Sequence, residues 1–146
     1  MFRRIACGIL LCAMAALAGA CADAPTPTTP TPVTTTQTFN GTLSPASATV
    51  NSFVTLTGGP ITATLTTVGP DATQSVGFSL GTFNPTLNIC TVVLDNPAAV
   101  QAAVFNATAT TTGFYCVRVY DNGNVATAVT AGTADGFSYT VTVTHP

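Results

Sequence analysis

The sequence predicts an all-β domain, an antiparallel β-sandwich with about seven to eight strands. The first observation is that apolar and polar residues alternate with a period of two in short segments, each closed by Gly, Pro, Asn or Asp. The second is that no segment of helical length carries a 3.6-residue period. The third is composition: 47% of the residues are hydrophobic and 5% charged, with many Thr and Val, whose branched side chains suit a pleated surface.

The charge of the chain limits its partners. The sequence contains three Arg, five Asp and no Lys or Glu, and beyond Cys21 a single Arg stands against all five Asp. Proteins that bind nucleic acids neutralise phosphates with clustered Lys and Arg. We therefore expect no nucleic-acid partner.

Residues 1–20 have the pattern of an export signal. Arg3 and Arg4 precede an apolar run of about thirteen residues from Ile5 to Leu17, which is shorter than the roughly twenty residues of a membrane-spanning helix. The small residues Ala18-Gly19-Ala20 then lead into Cys21. This arrangement resembles the lipobox of bacterial lipoproteins, in which the Cys becomes the lipidated N-terminus.

The resemblance to a lipobox implies a lipid anchor on Cys21. Ala22 is not the Asp that retains such proteins in the inner membrane, so the resemblance favours the outer membrane of the cell envelope. The alternative is an ordinary signal peptide cleaved after Ala20, which would leave a secreted or periplasmic protein.

Residues 21–37 are predicted to form a disordered linker. The segment is rich in Pro and Thr and has no apolar face with which to offset the entropy of ordering. Its prolines favour an extended polyproline-II spacer. The folded domain is predicted to span residues 38–146.

The strands of this domain follow one another at short intervals. Extended segments are predicted at 38–43, 48–57, 61–66, 76–81, 89–94 and 137–144. The stretch Gly113–Asn124 is predicted to be a buried strand that runs into a tight turn at Asp121-Asn122-Gly123-Asn124. Residues 100–110 allow two interpretations, because Ala98 to Ala103 fits one helical turn whereas Thr108 to Thr112 favours a strand.

Three segments resemble the bacterial pre-peptidase C-terminal domain, a jelly-roll-like β-sandwich found beside secreted peptidases. They are Phe39-Asn40-Gly41-Thr42-Leu43-Ser44-Pro45, Ile61-Thr62-Ala63-Thr64-Leu65 and Gly113-Phe114-Tyr115-Cys116-Val117-Arg118-Val119-Tyr120-Asp121. The match includes an aromatic-x-Gly-x-Leu pattern at Phe39 and a Gly-x-Tyr-x-x-x-Val pattern at Gly113. The resemblance implies an accessory role beside an enzyme. Related collagen-binding modules can bind calcium through a dense acidic segment, which this chain lacks.

The number and positions of the cysteines predict a disulfide. Cys7 and Cys12 leave with the signal peptide, and lipidation would consume Cys21, so Cys90 and Cys116 remain as a pair in an oxidising compartment. If Tyr115, Val117 and Val119 face the core, then Cys116 lies on the opposite, outer face of its strand.

Arg118 and Tyr120 lie on the same outer face as Cys116 and are the candidate binding residues. Tyr and Arg are enriched at interaction hot spots, and the partner would be a protein or a glycan. The alternative is a local structural role, in which Arg118 pairs with Asp121 or Asp95 and Tyr120 covers the disulfide.

Catalytic and metal-binding functions are not expected. His145, the single His, lies beside the C-terminus, where we expect it to be solvated rather than held as a general base. The four Asp residues of the domain lie beside turn-forming residues, where Asp bonds to its own backbone. No cofactor is predicted. A calcium site formed by Asp95, Asp121 and Asp135 stays open as an alternative.

Overall fold

The computed structural model describes residues 33–125 and 137–146, which form two four-stranded antiparallel sheets. The predictions for the signal peptide, for Cys21, for linker residues 21–32 and for Asp135 lie outside the described residues. The eight strands are β1 (Thr35–Leu43), β2 (Ala48–Thr55), β3 (Gly59–Gly69), β4 (Val76–Asn84), β5 (Ile89–Ala99), β6 (Val104–Ala109), β7 (Gly113–Tyr120) and β8 (Phe137–His145). The predicted all-β sandwich is confirmed.

The strand order shows how the chain is folded upon itself. The first sheet has the order β1-β8-β3-β6 and the second sheet the order β2-β7-β4-β5. The pairs are therefore nested: β4 pairs with β5, β3 with β6, β2 with β7 and β1 with β8. This nested pairing of eight strands in two sheets is the jelly-roll arrangement.

The core lies between the two sheets and is built by the predicted alternation. On β8, Phe137, Tyr139, Val141 and Val143 are buried, whereas Ser138 and the intervening Thr residues face outward. Opposite them, Val117 and Val119 of β7 are fully buried. Because alternate side chains of a strand point to opposite faces, each strand contributes one apolar face to this core.

Several strand boundaries differ from the sequence-based prediction; β3, for example, spans Gly59–Gly69 rather than 61–66, and β4 continues to Asn84. Strand β1 begins at Thr35 rather than at residue 38, because Thr35 pairs with His145 of β8. Strand β5 continues to Ala99 through Asp95-Asn96-Pro97, which we had expected to end it. Pro97 is tolerated there because β5 lies at the edge of its sheet, where a missing N–H breaks no ladder.

The ambiguous segment after β5 is a turn followed by a strand. Ala102 has a positive φ of 70°, and its backbone N–H donates to the Leu65 carbonyl at 2.8 Å. Strand β6 then begins at Val104. Within the described residues, no helix has the length and apolar character needed to cross a bilayer.

The expectation of a solvated His145 is wrong. This residue ends β8 and is only 2% exposed. Its ring lies 5.0 Å from the Phe53 ring of the other sheet, and its Nδ1 lies 3.0 Å from the Pro146 carbonyl oxygen. The chain end is held because β1 pairs with β8 as far as His145.

Candidate functional site

The predicted binding residues lie on the outer face of the second sheet, as the alternation along β7 predicts. Their partners on β4 follow from the register: Tyr120 is opposite Gly77, Arg118 opposite Ser79 and Cys116 opposite Gly81. Cross-strand partners share a face of the sheet. The outer side chains of β7 therefore stand above a row of small residues on β4.

Tyr120 is held on both faces of its ring. A Cβ atom on Gly77 would lie only 2.1–2.3 Å from three of the ring atoms, so the ring lies flat on this glycine. The Arg118 guanidinium carbon stands 4.5 Å from the ring centroid, in a cation–π arrangement. Since the sheet occupies one side of the ring, the guanidinium covers the other.

The Tyr120 hydroxyl is engaged as well. It donates to the carboxylate of Asp95, with both carboxylate oxygens at 3.1 Å. Burial, the hydrogen bond to Asp95 and the negative charge of that carboxylate raise the pKa of Tyr120 above its ordinary value, and the positive charge of Arg118 partly offsets them. The hydroxyl therefore stays protonated at neutral pH.

Asp95 connects β5 to this group. It lies opposite Ser79 in the ladder between β4 and β5, and the Ser79 hydroxyl donates to its Oδ1 at 2.7 Å. Ser79 is fully buried, so the carboxylate satisfies a hydroxyl that has no access to water. Arg118, Tyr120, Asp95 and Ser79 thus form one connected polar cluster, which we call the Arg118 cluster.

The structure joins Cys90 and Cys116 in a disulfide, as predicted, with 5.9 Å between their Cα atoms. Strand β4 lies between β5 and β7 in the sheet, and strands two apart in a flat sheet are about 9.5 Å from each other. The shorter distance means that β5 curls over the outer face of β4. Gly81 permits this, because a Cβ there would lie 2.0 Å from the Thr91 carbonyl oxygen.

Exposed apolar side chains continue the same face beyond the disulfide. Phe114 of β7 is 47% exposed and lies directly opposite Val54 of β2, which is 39% exposed. Val50, opposite Arg118, is 40% exposed. Ser52 and the buried Cys116 lie between these two pairs. We call the four residues Arg118, Val50, Phe114 and Val54 the outer patch.

The sequence alone indicated Arg118 and Tyr120 but not Ser79, Gly77 or Phe114. The available signal was the run Gly77-x-Ser79-x-Gly81, since three small residues at alternate positions leave one face of a strand without side chains of its own. Such a face must accommodate groups from neighbouring strands. Which groups they are depends on the register, and a single strand does not reveal its register.

The segment after β7 is a turn organised by Asp121. Its Oδ2 accepts from the Ala46 backbone N–H at 2.8 Å, and its Oδ1 accepts from Gly123 at 2.7 Å and from Val125 at 3.1 Å. Gly123 has a φ of 99°, which favours glycine. The turn is not a hairpin, because β7 and β8 belong to different sheets.

The hydrogen bonds to Asp121 make folding sensitive to acid. Burial raises the pKa of the Asp121 carboxyl, but backbone N–H groups of Ala46, Val125, Gly123 and Asn124 stabilise its charged form and bring the pKa below its ordinary value. A carboxyl whose pKa is lower in the folded state than in the unfolded state stabilises the fold. This stabilisation is complete at pH values above the unfolded pKa of about 3.9. This contribution is lost as the pH falls through the folded value.

We therefore expect Asp121→Asn to lower the free energy of unfolding by about 1 kcal/mol at pH 7 and to flatten its decline below about pH 4. Urea unfolding followed by circular dichroism between pH 2 and 7 measures both effects. Asp71→Asn is the control. The Thr73 backbone N–H and hydroxyl lower the pKa of Asp71 as well, but Thr73 is only two positions away, so these hydrogen bonds connect no distant strands. Parallel pH profiles for Asp121→Asn and the wild type would contradict the assignment.

Metal ligands do not cluster in the described part of the chain. Residues 33–125 and 137–146 contain no group of three or more His, Cys, Asp or Glu side chains placed to hold an ion. Asp95 and Asp121 each accept hydrogen bonds from the protein. The calcium site with Asp135 includes a residue outside the described ranges and stays a prediction.

Comparison with known proteins assigns no family to this fold and surface. No protein-family model matches the chain, and no curated protein is significantly similar to it. The resemblance to the pre-peptidase C-terminal domain therefore stays a prediction.

Proposed function

We propose that this chain is an exported, lipid-anchored, non-enzymatic β-sandwich module that binds a partner at the cell envelope. The observation that carries the proposal is the outer patch, in which the half-buried Arg118 lies opposite the exposed Val50, and Phe114, four residues away along β7, lies opposite Val54. Interface centres are enriched in aromatic residues and Arg. No other Arg or Lys lies within the described residues.

Within this surface, Arg118 and Phe114 are the contact residues, and Tyr120 supports Arg118. Tyr120 has one ring face on Gly77 and the other beneath Arg118, and its hydroxyl is bound to Asp95. Because the stacking restricts the guanidinium before any partner arrives, less side-chain entropy is lost on binding. The Arg118 cluster thus holds the Arg118 guanidinium in place before binding.

A protein partner fits this surface better than a glycan. A sugar that stacks on an aromatic ring needs an open ring face, and those of Tyr120 are covered. The half-exposed Phe114 and the two valines offer apolar area on the same face as one cation, which suits an apolar protein surface with a carboxylate at its rim. A glycan is the second possibility within the same proposal.

The lipid anchor and the location belong to the proposal as well. A lipid on Cys21 and a Pro/Thr-rich spacer would hold the sandwich away from an outer membrane; the alternative is a secreted or periplasmic protein. The support is the lipobox-like sequence before Cys21. Labelling with a fatty-acid probe, expected for the wild type and absent in Cys21→Ser, tests the anchor.

An array of extracellular-matrix proteins and glycans, probed with the purified protein, tests the binding function. We expect at least one protein ligand whose affinity falls about tenfold or more in Arg118→Ala and in Phe114→Ser, as at interface hot spots. Thr142→Ala is the matched control, because Thr142 lies on the outer face of the first sheet and should leave the affinity unchanged.

Equal affinity in all three variants would contradict the outer patch as the binding site. A well-folded protein that binds nothing on the array would favour the second candidate, a structural module that supports a secreted partner. The observation that favours this candidate is that Tyr120, Asp95 and Ser79 satisfy one another within the fold. Turnover of peptide or ester substrates would contradict both.

A further inference from the structure

A cavity of about 220 Å³ opens between the two sheets. Both sheets contribute to its walls, including the edge strands β5 and β6, and no lining residue is charged. The apolar lining is Ile61, Leu80, Val93, Leu94 and Ala107, and Thr82, Thr108 and Tyr115 also line it. The cavity is open to solvent at the edge of the sandwich, where Val93 is exposed, whereas the outer patch lies on the outer face of the second sheet.

Strand β6 forms one rim of this cavity and is the edge of the first sheet. Within residues 33–125 and 137–146, it pairs with β3 alone. Thr108 lies opposite Pro60, which has no N–H to donate. In addition, the Leu65 backbone N–H donates to the Ala103 carbonyl at 2.9 Å, so odd-numbered residues of this segment bond to β3.

The even-numbered residues of β6 must therefore point their backbone groups away from β3. Backbone bonding alternates along an antiparallel strand, so Val104, Asn106 and Thr108 present their N–H and C=O groups at the open edge. Their side chains face outward, and the side chain of Ala107 between them faces the cavity. The edge thus offers three regularly spaced donor–acceptor sites directly beside an apolar cavity.

Nothing in the sequence of β6 protects this edge. Natural sheets blunt their edges with charged side chains, Pro or bulges, and Val104–Ala109 contains no charge and no Pro. The other edge at this side of the sandwich is different, because β5 contains both Asp95 and Pro97. At this side of the sandwich, the unprotected edge is therefore β6.

We propose that β6 binds an extended peptide segment of a partner protein, which adds a fifth strand to the first sheet and inserts one apolar side chain into the cavity. In such β-augmentation, main-chain hydrogen bonds supply affinity and a pocket for one side chain supplies specificity. The incoming side chain enters beside Ala107, because only a methyl group stands there.

The cavity defines the chemistry of the inserted side chain. An apolar cavity of about 150 Å³ holds a benzene molecule, so 220 Å³ accommodates a Phe ring or a branched aliphatic chain. An ionised side chain would lose its hydration without gaining a charged partner among the lining residues. The site therefore selects an aromatic or large aliphatic residue within a neutral strand.

Synthetic peptides of the form acetyl-Thr-Thr-X-Thr-Thr-amide test this site, with dissociation constants taken from NMR titrations of the purified protein. We expect X = Phe or Leu to bind about tenfold or more tightly than X = Ala or Lys, given the free energy of burying a large apolar side chain. N-methylation of the two residues flanking Phe should abolish binding, because those residues form the main-chain hydrogen bonds.

Two protein variants separate the edge from the cavity. Asn106→Pro removes an outward N–H and should abolish binding, whereas Asn106→Ala keeps the N–H and should bind as the wild type does. Ala107→Leu fills the cavity and should weaken the Phe peptide about tenfold or more. Thermal unfolding of each variant verifies the fold.

The proposal is overturned if all X bind equally, or if the N-methylated peptide binds like its parent. It is also overturned if the purified protein sediments as a dimer that Asn106→Pro dissociates, since a second copy would then occupy the edge. Neither result depends on Arg118 or Phe114, so the binding function of the outer patch is tested separately.

Discussion

Replacing Gly81 with Ala is expected to destabilise the domain by about 3 kcal/mol, the upper part of the usual range for overpacking. The added Cβ would lie 2.0 Å from the Thr91 carbonyl oxygen and 2.9 Å from the Val92 Cα, and these backbone atoms cannot rotate aside as a side chain can. Strand β5 would have to lift from the face of β4. Urea unfolding without added oxidant or reductant measures the loss of unfolding free energy.

Gly113→Ala is the matched control for this substitution. A Cβ at Gly113 would meet only the Tyr115 ring, at an ordinary contact distance of 3.7 Å. The free energy of unfolding should change by less than about 0.5 kcal/mol. Equal stability of Gly81→Ala and Gly113→Ala would contradict the close approach of β5 to the outer face of β4.

Removing the disulfide with Cys90→Ala and Cys116→Ala together is expected to cost about 3 kcal/mol. The two cysteines are 26 positions apart, and a cross-link over a loop of this length restricts the unfolded chain by that amount in the chain-entropy model. Denaturant titration compares the double variant with the oxidised wild type.

The reduced wild type provides the control for side-chain volume. It keeps both sulfur atoms, so it should unfold at nearly the same denaturant concentration as the double variant if the cross-link is the stabilising element. A reduced protein as stable as the oxidised one would contradict this origin. So would the detection of two free thiols in the folded, unreduced protein.

The faces of the strands could be predicted because alternation is a local property. Val117 and Val119 alternate with Cys116, Arg118 and Tyr120, and a strand must place the two sets on opposite sides. The same logic predicted the buried face of β8. The disulfide was predicted from the number of cysteines and from the oxidising compartment that the export-signal pattern implies, without knowledge of the fold.

The remaining features depend on pairing between distant strands. Asp95 was expected in a turn because Asn96 and Pro97 follow it, yet its ladder with Ser79 keeps it in β5. His145 was expected in water because it lies beside the chain end, yet its strand pairs with β1 and its ring meets Phe53. Neither contact leaves a trace in the local sequence, since each depends on the register of another strand.

The nested pairing also determines when the domain can become complete. The hairpin of β4 and β5 joins neighbours in the chain, whereas β1 must pair with β8 at the opposite end of the domain. The cost of closing long loops precedes any gain from distant contacts, so such pairs form late. During synthesis, Thr35–Leu43 therefore stays without its partner until β8 emerges.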